Sequence, residues 1–194
     1  DLAAIMLLDT VNILAHEAVR DGRPPIYEEG DVKETMKQWE VHEYYQSIDL
    51  GDGLTLEMKD AGHILGSAMM FITLNGTTIV FTGDLGNSPS PLLRDTDSIK
   101  GVKYLLMESV YGDRNHENRD QRKEVLKETI LKTIKTGGVL MMPTFSIERT
   151  QEFLYEFNEI VEHHEIPDVK IYVDSPLAIN ATEVYRRADK YFNQ

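Results

Sequence analysis

Three segments place an ionisable side chain where an apolar run gives way to a turn. His63 lies in GHILGS, Asp84 in FTGDLGN and Glu108 in LLMESVYG. An imidazole held between glycines can serve as a metal ligand or a general base, and a carboxylate at the end of a strand can bridge two cations. Because α/β sheets place their sites where strands end, these three residues are candidate site residues.

Each of the three also has a purely structural interpretation. A histidine between glycines can be an ordinary turn residue, and an aspartate after a strand is common as a turn-forming residue. Glu108 ends an otherwise apolar run, so it is either paired by a base or part of a site. The residues taken one at a time leave these alternatives open.

A second group of polar residues lies at predicted helix starts. Ser146 and Arg149 follow an apolar run, and a helix N-terminus with a guanidinium beside it can hold a phosphate. A simple capping role for Ser146 fits the same residues. Ser175 precedes Pro176, a pair that is typical of any helix start.

The first half of the chain predicts a helix followed by antiparallel strands. Apolar residues recur at helical spacing over residues 1–20, and Gly22 ends the pattern. Asn75-Gly76 between two apolar runs is a strong hairpin signal. Strands are predicted at 54–59, 68–74 and 77–82.

The second half of the chain alternates between strand-like and helix-like patterns. Such alternation is typical of a parallel sheet with crossover helices, so the fold class is α/β. The predicted strands cover 102–108, 137–143 and 169–175, and the predicted helices cover 119–135, 147–163 and a segment from Leu177.

The composition limits the class of protein. With 41% hydrophobic and 27% charged residues, the 194-residue chain has the composition of a globular protein. The absence of cysteine excludes disulfides and thiolate metal sites. A net charge of −13 disfavours a simple nucleic-acid-binding module. No apolar run approaches the length of a membrane span, so we expect a soluble, cytoplasmic protein with no membrane partner. The start at Asp1 leads us to expect a piece of a longer polypeptide.

The order and spacing of the three segments carry more information than each alone. GHILGS, FTGD and LLMESVYG together resemble the β-CASP branch of the metallo-β-lactamase superfamily, a group of RNA and DNA nucleases. The resemblance continues through GGVLMMPTFSIERTQEFLYEFNEI and VKIYVDSPLAINATEVYRR. It implies part of a metallo-β-lactamase αββα sandwich over residues 1–112, followed by the start of a β-CASP domain over residues 113–194.

The resemblance also implies roles for the candidate residues. It makes His63 a ligand of one zinc and Asp84 the carboxylate that bridges two zinc (or manganese) ions. It also makes Glu108 an acidic catalytic residue that hydrogen-bonds a later histidine acting near the leaving group. The implied reaction is hydrolysis of phosphodiester bonds in single-stranded RNA, in which two cations activate a water and neutralise phosphate charge. Substrate contacts are expected from Ser146, Arg149 and Ser175.

The chain lacks the main metal-binding signature of this family. The family's ligand cluster, His-x-His-x-Asp-His, does not occur in residues 1–194. We therefore expect the chain by itself to hold no zinc tightly and to be inactive, and to dimerise through exposed apolar surface.

Two other functions remain open at this point. One is a small-molecule ester hydrolase of the same superfamily, which the β-CASP-like half disfavours. The other is a catalytically inactive RNA-binding or scaffold homologue, which the retention of His63, Asp84 and Glu108 disfavours.

Overall fold

A computed structural model describes residues 1–115 and 121–193 of the chain. It confirms the α/β class, with five strands and five helices in the described part. The helices are α1 (Leu2–Asp21), α2 (Glu29–Lys37), α3 (Arg122–Thr136), α4 (Arg149–Glu162) and α5 (Pro176–Tyr185). The strands are β1 (Ser47–Gly51), β2 (Leu54–Asp60), β3 (Ala68–Leu74), β4 (Thr77–Phe81) and β5 (Tyr104–Leu106).

Local turn chemistry explains the two hairpins. Asp52 and Gly53 have φ of 53° and 75°, and Asn75 and Gly76 have φ of 50° and 74°. Two consecutive positive φ values characterise the type I′ turn, whose twist matches that of the strands it joins. The predicted Asn-Gly hairpin is confirmed, and strands β2, β3 and β4 match the predicted ranges to within a residue.

The strands form one mixed sheet in the order β1-β2-β3-β4-β5. The first four pair antiparallel, and β5 pairs parallel to β4 with Phe81 opposite Leu106. One face of the sheet carries the apolar core, in which Met69 and Val80 are fully buried. The core cluster is completed by Ala61 and Phe71, with Leu85, Ile99 and Val102 packed against it.

Helices α3 and α4 pack on each other through a second apolar cluster. Phe157 and Ile160 of α4 are buried against Leu126 and Ile130 of α3. Gly137 ends α3 with a φ of 65°, in the left-handed conformation that glycine adopts without steric cost. The predicted start of α3 at residues 119 and 120 lies outside the described residues.

Two predicted strands are wrong. Residues 137–143 and 169–175 form no strand in the structure, although their composition is strand-like. A strand is stable only when a neighbour satisfies its backbone groups, and in the described residues no ladder reaches either segment. Val139 and Met141 are consequently 87% and 84% exposed. In the described sheet, β4 and β5 form the one parallel pair of strands.

The chain divides into two compact units. One comprises residues 1–42 and 173–189, and the other comprises residues 43–172 and 190–194. In the first unit α1 packs on α5 and α2. The domain division at residues 112 and 113 concerns the family's domains and remains a prediction.

Helix α1 is long and apolar enough to cross a membrane by length and composition alone. The expectation that no segment reaches this length is therefore wrong on that criterion. A core helix of a soluble protein or a signal sequence near the N-terminus can meet the same length and hydropathy criterion. The expected absence of a membrane partner thus remains a prediction.

Candidate functional site

The parallel pairing of β4 and β5 brings the two segments after these strands to the same edge of the sheet. Beyond the strands, the Thr82 N–H donates to the Leu106 carbonyl at 3.0 Å. The Glu108 N–H donates to Thr82 Oγ1 at 3.2 Å. Asp84 and Glu108 therefore follow neighbouring strands, as the sequence predicts for a site at the strand ends.

The turn after β2 meets the turn after β4 at the same edge. His63 Nε2 lies 3.9 Å from Asp84 Oδ2. The side chains are 40% and 76% exposed, so both remain accessible to solvent and ligands. Two predicted site residues that are 21 positions apart in sequence are thus brought together.

Hydrogen bonds to side chains shape the turn that carries His63. The Gly62 N–H donates to Asp60 Oδ1 at 2.8 Å. Ser67 Oγ accepts from the N–H groups of His63 at 3.1 Å and Ile64 at 3.3 Å. The backbone on both sides of the imidazole is therefore fixed by neighbouring side chains.

The His63 turn and the Asp84 turn contact each other directly through their backbone atoms. The Gly86 N–H donates to the Ala61 carbonyl at 2.8 Å. A Cβ on Gly86 would lie 1.6 Å from the Gly62 carbonyl oxygen, so only glycine allows this approach. Thr96 reinforces the contact, because its hydroxyl donates to the Ala61 carbonyl at 3.0 Å.

Glu108 supports the loop that follows Asp84. Its Oε1 accepts from the Leu85 N–H at 2.7 Å, and its Oε2 accepts from the Val110 N–H at 3.4 Å. No basic side chain pairs with it within residues 1–115 and 121–193. In the described structure this carboxylate therefore orders the backbone beside Asp84.

The His63–Asp84 pair fits the chemistry of a divalent cation. Imidazole nitrogen and carboxylate oxygen are ordinary zinc ligands, and a tetrahedral zinc separates two such donors by roughly 3.4 Å. The observed distance of 3.9 Å between His63 Nε2 and Asp84 Oδ2 is close to that value. In the described part of the chain, no group of three or more such side chains could hold a metal ion. The pair can therefore supply two donors of a larger ligand set.

The predicted substrate residues lie near the N-termini of α4 and α5. Helix α4 begins at Arg149 with the buried Glu148 as N-cap, so Ser146 is not its capping residue. Arg149 Nη1 donates to Glu152 at 2.7 Å, which offsets its positive charge. Ser175 Oγ accepts from the Ala178 N–H at 3.2 Å and caps α5. The capping interpretation of Ser175 is confirmed, and the substrate roles of the three residues remain predictions.

Sequence reasoning missed the residues that hold the two turns together. Asp60 is buried at the end of β2, and its backbone N–H donates to Asp97 Oδ2 at 2.9 Å. Burial raises the pKa of Asp60, the Gly62 N–H lowers it, and the nearby Asp97 carboxylate raises it further. Asp60 directly follows the predicted strand that leads to His63, which was a usable signal, whereas nothing around Thr96 indicated its contact with Ala61.

Asp60→Asn is expected to reduce the dependence of stability on pH. A raised folded-state pKa means that the folded protein holds the Asp60 proton more tightly than the unfolded chain, so stability falls as pH rises from about 4 through the folded-state pKa. Asparagine keeps an oxygen for the Gly62 N–H and has no charge to bury. Melting temperatures of the variant measured between pH 4 and 7 should therefore decline less than those of the wild type.

Asp49→Asn is the matched control for this measurement. Asp49 Oδ1 also accepts from the N–H two residues along, that of Gly51, at 2.9 Å, but Asp49 is exposed. We expect this substitution to leave the pH profile of the melting temperature close to that of the wild type. An Asp60→Asn profile parallel to the wild-type profile would show that the buried carboxyl does not control this pH dependence.

Comparisons with known proteins identify a family model and several relatives that the chain resembles. Residues 150–194 match the family model described as the Beta-Casp domain. The chain is 33% identical to Ribonuclease TTHA0252 of Thermus thermophilus, over 99% of this chain and 43% of that protein. It is also 33% identical to the RNase J-like protein of Methanocaldococcus jannaschii, over 100% of this chain and 44% of that protein. Endoribonuclease YSH1 of Mycosarcoma maydis is 32% identical over 83% of this chain and 18% of its own length.

The chain thus spans less than half the length of the curated relatives that it matches. Its matches nevertheless extend across nearly all of its own residues, including the His63, Asp84 and Glu108 segments. The chain belongs to the β-CASP branch of the metallo-β-lactamase superfamily.

Proposed function

We propose that the polypeptide carrying this chain hydrolyses phosphodiester bonds in single-stranded RNA with the help of divalent cations. The observation that carries the proposal is the approach of His63 Nε2 to within 3.9 Å of Asp84 Oδ2 at the edge of the sheet. Relatives named as ribonucleases and an endoribonuclease support RNA as the substrate. Bound cations would also offset the net charge of −13, which otherwise repels a polyanion.

In this proposal the residues of the chain have separate tasks. His63 and Asp84 would be ligands of the cations, which we expect to be two zinc or manganese ions. When bound, these cations supply a Lewis acid for the phosphate and activate the attacking water. Glu108 keeps the Asp84 loop in place through the Leu85 N–H and is available to orient a histidine elsewhere in the polypeptide.

The domain division and the substrate contacts belong to the same proposal. Residues 1–112 contribute to the metallo-β-lactamase domain and residues 113–194 to the β-CASP domain, with RNA lying along the sheet edge that carries Asp84. Of the predicted substrate residues, Ser146 and Arg149 lie just before and at the start of α4. Because Arg149 already pairs with Glu152, we expect its contribution to RNA binding to be smaller than that of an unpaired arginine.

A cleavage assay tests the proposed function. The complete polypeptide that contains these residues is incubated with end-labelled single-stranded RNA in the presence of Zn²⁺ or Mn²⁺, and in parallel with EDTA. We expect cleavage with either metal and none with the chelator. Absence of RNA cleavage with bound metal, together with hydrolysis of small esters, would favour the small-molecule hydrolase instead. Absence of both activities would favour the inactive homologue.

The exposed apolar residues lead us to propose self-association of the 194-residue chain. Phe145 and Tyr172 are 82% and 80% exposed, and Leu105 on the edge strand β5 is 46% exposed. Surfaces of this kind are normally covered by another protein surface. Light scattering is expected to give a mass that rises with concentration towards that of a dimer, and the double variant Val139→Lys, Met141→Lys should shift the mass towards the monomer. A wild-type monomer at all concentrations would refute self-association.

A further inference from the structure

A cleft of about 720 Å³ lies beside the candidate site. One wall is the loop of residues 85–91, which follows Asp84, and the other is the segment 107–115, which contains Glu108. The volume lies within the range of about 300–1,000 Å³ that is typical of ligand sites. The cleft therefore has the size and the position to hold a nucleotide next to the reacting phosphodiester.

Two arginines line the cleft, and they differ in whether a carboxylate of the described structure pairs with them. Arg122 donates to Glu156 from Nε at 2.9 Å, so a carboxylate offsets its charge. Arg114 forms no ion pair with any residue among 1–115 and 121–193. A guanidinium that has no carboxylate partner in the described structure attracts anionic ligands strongly, even in an acidic chain.

Arg114 lies over an aromatic ring. Its Cζ is 5.3 Å from the centroid of the Tyr111 ring, and Tyr111 is 51% exposed. Aromatic rings and guanidinium planes are the two surfaces on which proteins stack the bases of single-stranded RNA. The pair thus offers a base-stacking surface and a phosphate-binding charge at one place.

We propose that Tyr111 and Arg114 form a nucleotide subsite of the RNA cleft. The inference rests on the proposed function and deepens it, because it assigns the contacts of a nucleotide adjacent to the cleaved bond. A base stacks on the Tyr111–Arg114 pair, and the guanidinium binds a phosphate of the same strand. Recognition through stacking and charge is tolerant of base identity, so the subsite accepts any base.

RNA binding by the complete polypeptide in EDTA tests the subsite without cleavage. We expect Tyr111→Ala to weaken binding of a short single-stranded RNA about tenfold, and Tyr111→Phe to stay within about twofold of the wild type because it keeps the ring. Arg114→Gln should lower the slope of log affinity against log salt by about 0.7, the value for one phosphate contact on a single strand. Arg114→Lys should keep most of that slope. Fluorescence quenching of 2-aminopurine in the RNA should decrease in Tyr111→Ala.

Tyr155→Ala is the matched control, because Tyr155 on α4 is 42% exposed and does not line the cleft. It should bind like the wild type. Wild-type affinity, salt slope and quenching in both Tyr111→Ala and Arg114→Gln would overturn the subsite, even when the wild type cleaves RNA with metal. A wild type that binds RNA through these residues and never cleaves it would instead refute the proposed function and retain the subsite. A wild type without RNA affinity in EDTA would refute the subsite, and the cleavage assay with Zn²⁺ or Mn²⁺ would still decide the proposed function.

Discussion

Asp84→Asn is expected to abolish metal-dependent RNA cleavage by the complete polypeptide. The carboxylate offers two anionic oxygens to cations, whereas the amide offers one neutral oxygen and two N–H donors. Loss of a residue that merely orients a metal ligand typically costs 10- to 100-fold in affinity or activity, so we expect loss of this ligand to reduce the cleavage rate by more than about 100-fold. The measurement is the initial rate on end-labelled RNA, together with the metal content after dialysis.

The substitution should leave the fold intact, because the Asp84 side chain is 76% exposed and asparagine has nearly the same shape. Asp52→Asn is the matched control, since it makes the same change of charge in the β1–β2 hairpin, where asparagine also tolerates a positive φ. Its cleavage rate and metal content should equal those of the wild type. Full activity in Asp84→Asn would remove Asp84 from the metal site and with it the proposed mechanism.

The features that sequence predicts well are those fixed by local chemistry. The Asn75-Gly76 turn requires two positive φ values, which these residue types adopt readily, so the hairpin is readable from a few residues. The candidate site is readable for a related reason. Asp84 and Glu108 follow apolar runs, and the parallel pairing of those runs puts both residues at one edge.

The features that sequence does not predict depend on partners distant in the chain. Residues 137–143 have the composition of a strand, but composition does not show whether a neighbouring strand is present to pair with them. The sequence also did not show which anion Arg149 would bind. A phosphate was expected at this guanidinium, but the carboxylate of Glu152, three residues along the helix, pairs with it instead.

The contact between the His63 turn and the Asp84 turn is another feature that the sequence did not predict. Gly62 and Gly86 were visible as glycines beside the candidate residues, yet nothing in the sequence indicated that they contact each other. Thr96 bonds the same Ala61 carbonyl from a third segment, and threonine has no local pattern that reveals such a contact. Close packing of backbone on backbone is therefore where the structure adds most to the description of this site.

Gly86→Ala is expected to destabilise the protein and to separate the two turns. The added Cβ would lie 1.6 Å from the oxygen and 2.2 Å from the carbon of the Gly62 carbonyl, and backbone atoms cannot rotate away as a flexible side chain would. Overpacking of this kind typically costs about 1–3 kcal/mol, occasionally more. We expect a cost of about 3 kcal/mol, which lowers the melting temperature by about 6–12 °C in a protein of this size.

Gly30→Ala is the matched control for this prediction. Neither glycine has a positive φ, and a Cβ on Gly30 in α2 would meet no atom within 4 Å. The control should therefore be neutral or stabilising by up to about 1 kcal/mol, because alanine favours the helix. The two variants add the same methyl group and differ in the space it enters. If Gly86→Ala lowers both the melting temperature and the affinity of the complete polypeptide for Zn²⁺ while Gly30→Ala lowers neither, close backbone contact positions His63 against Asp84. Equal melting temperatures would show that the turns can move apart at no cost, and the short contact would not be what holds the candidate metal ligands together.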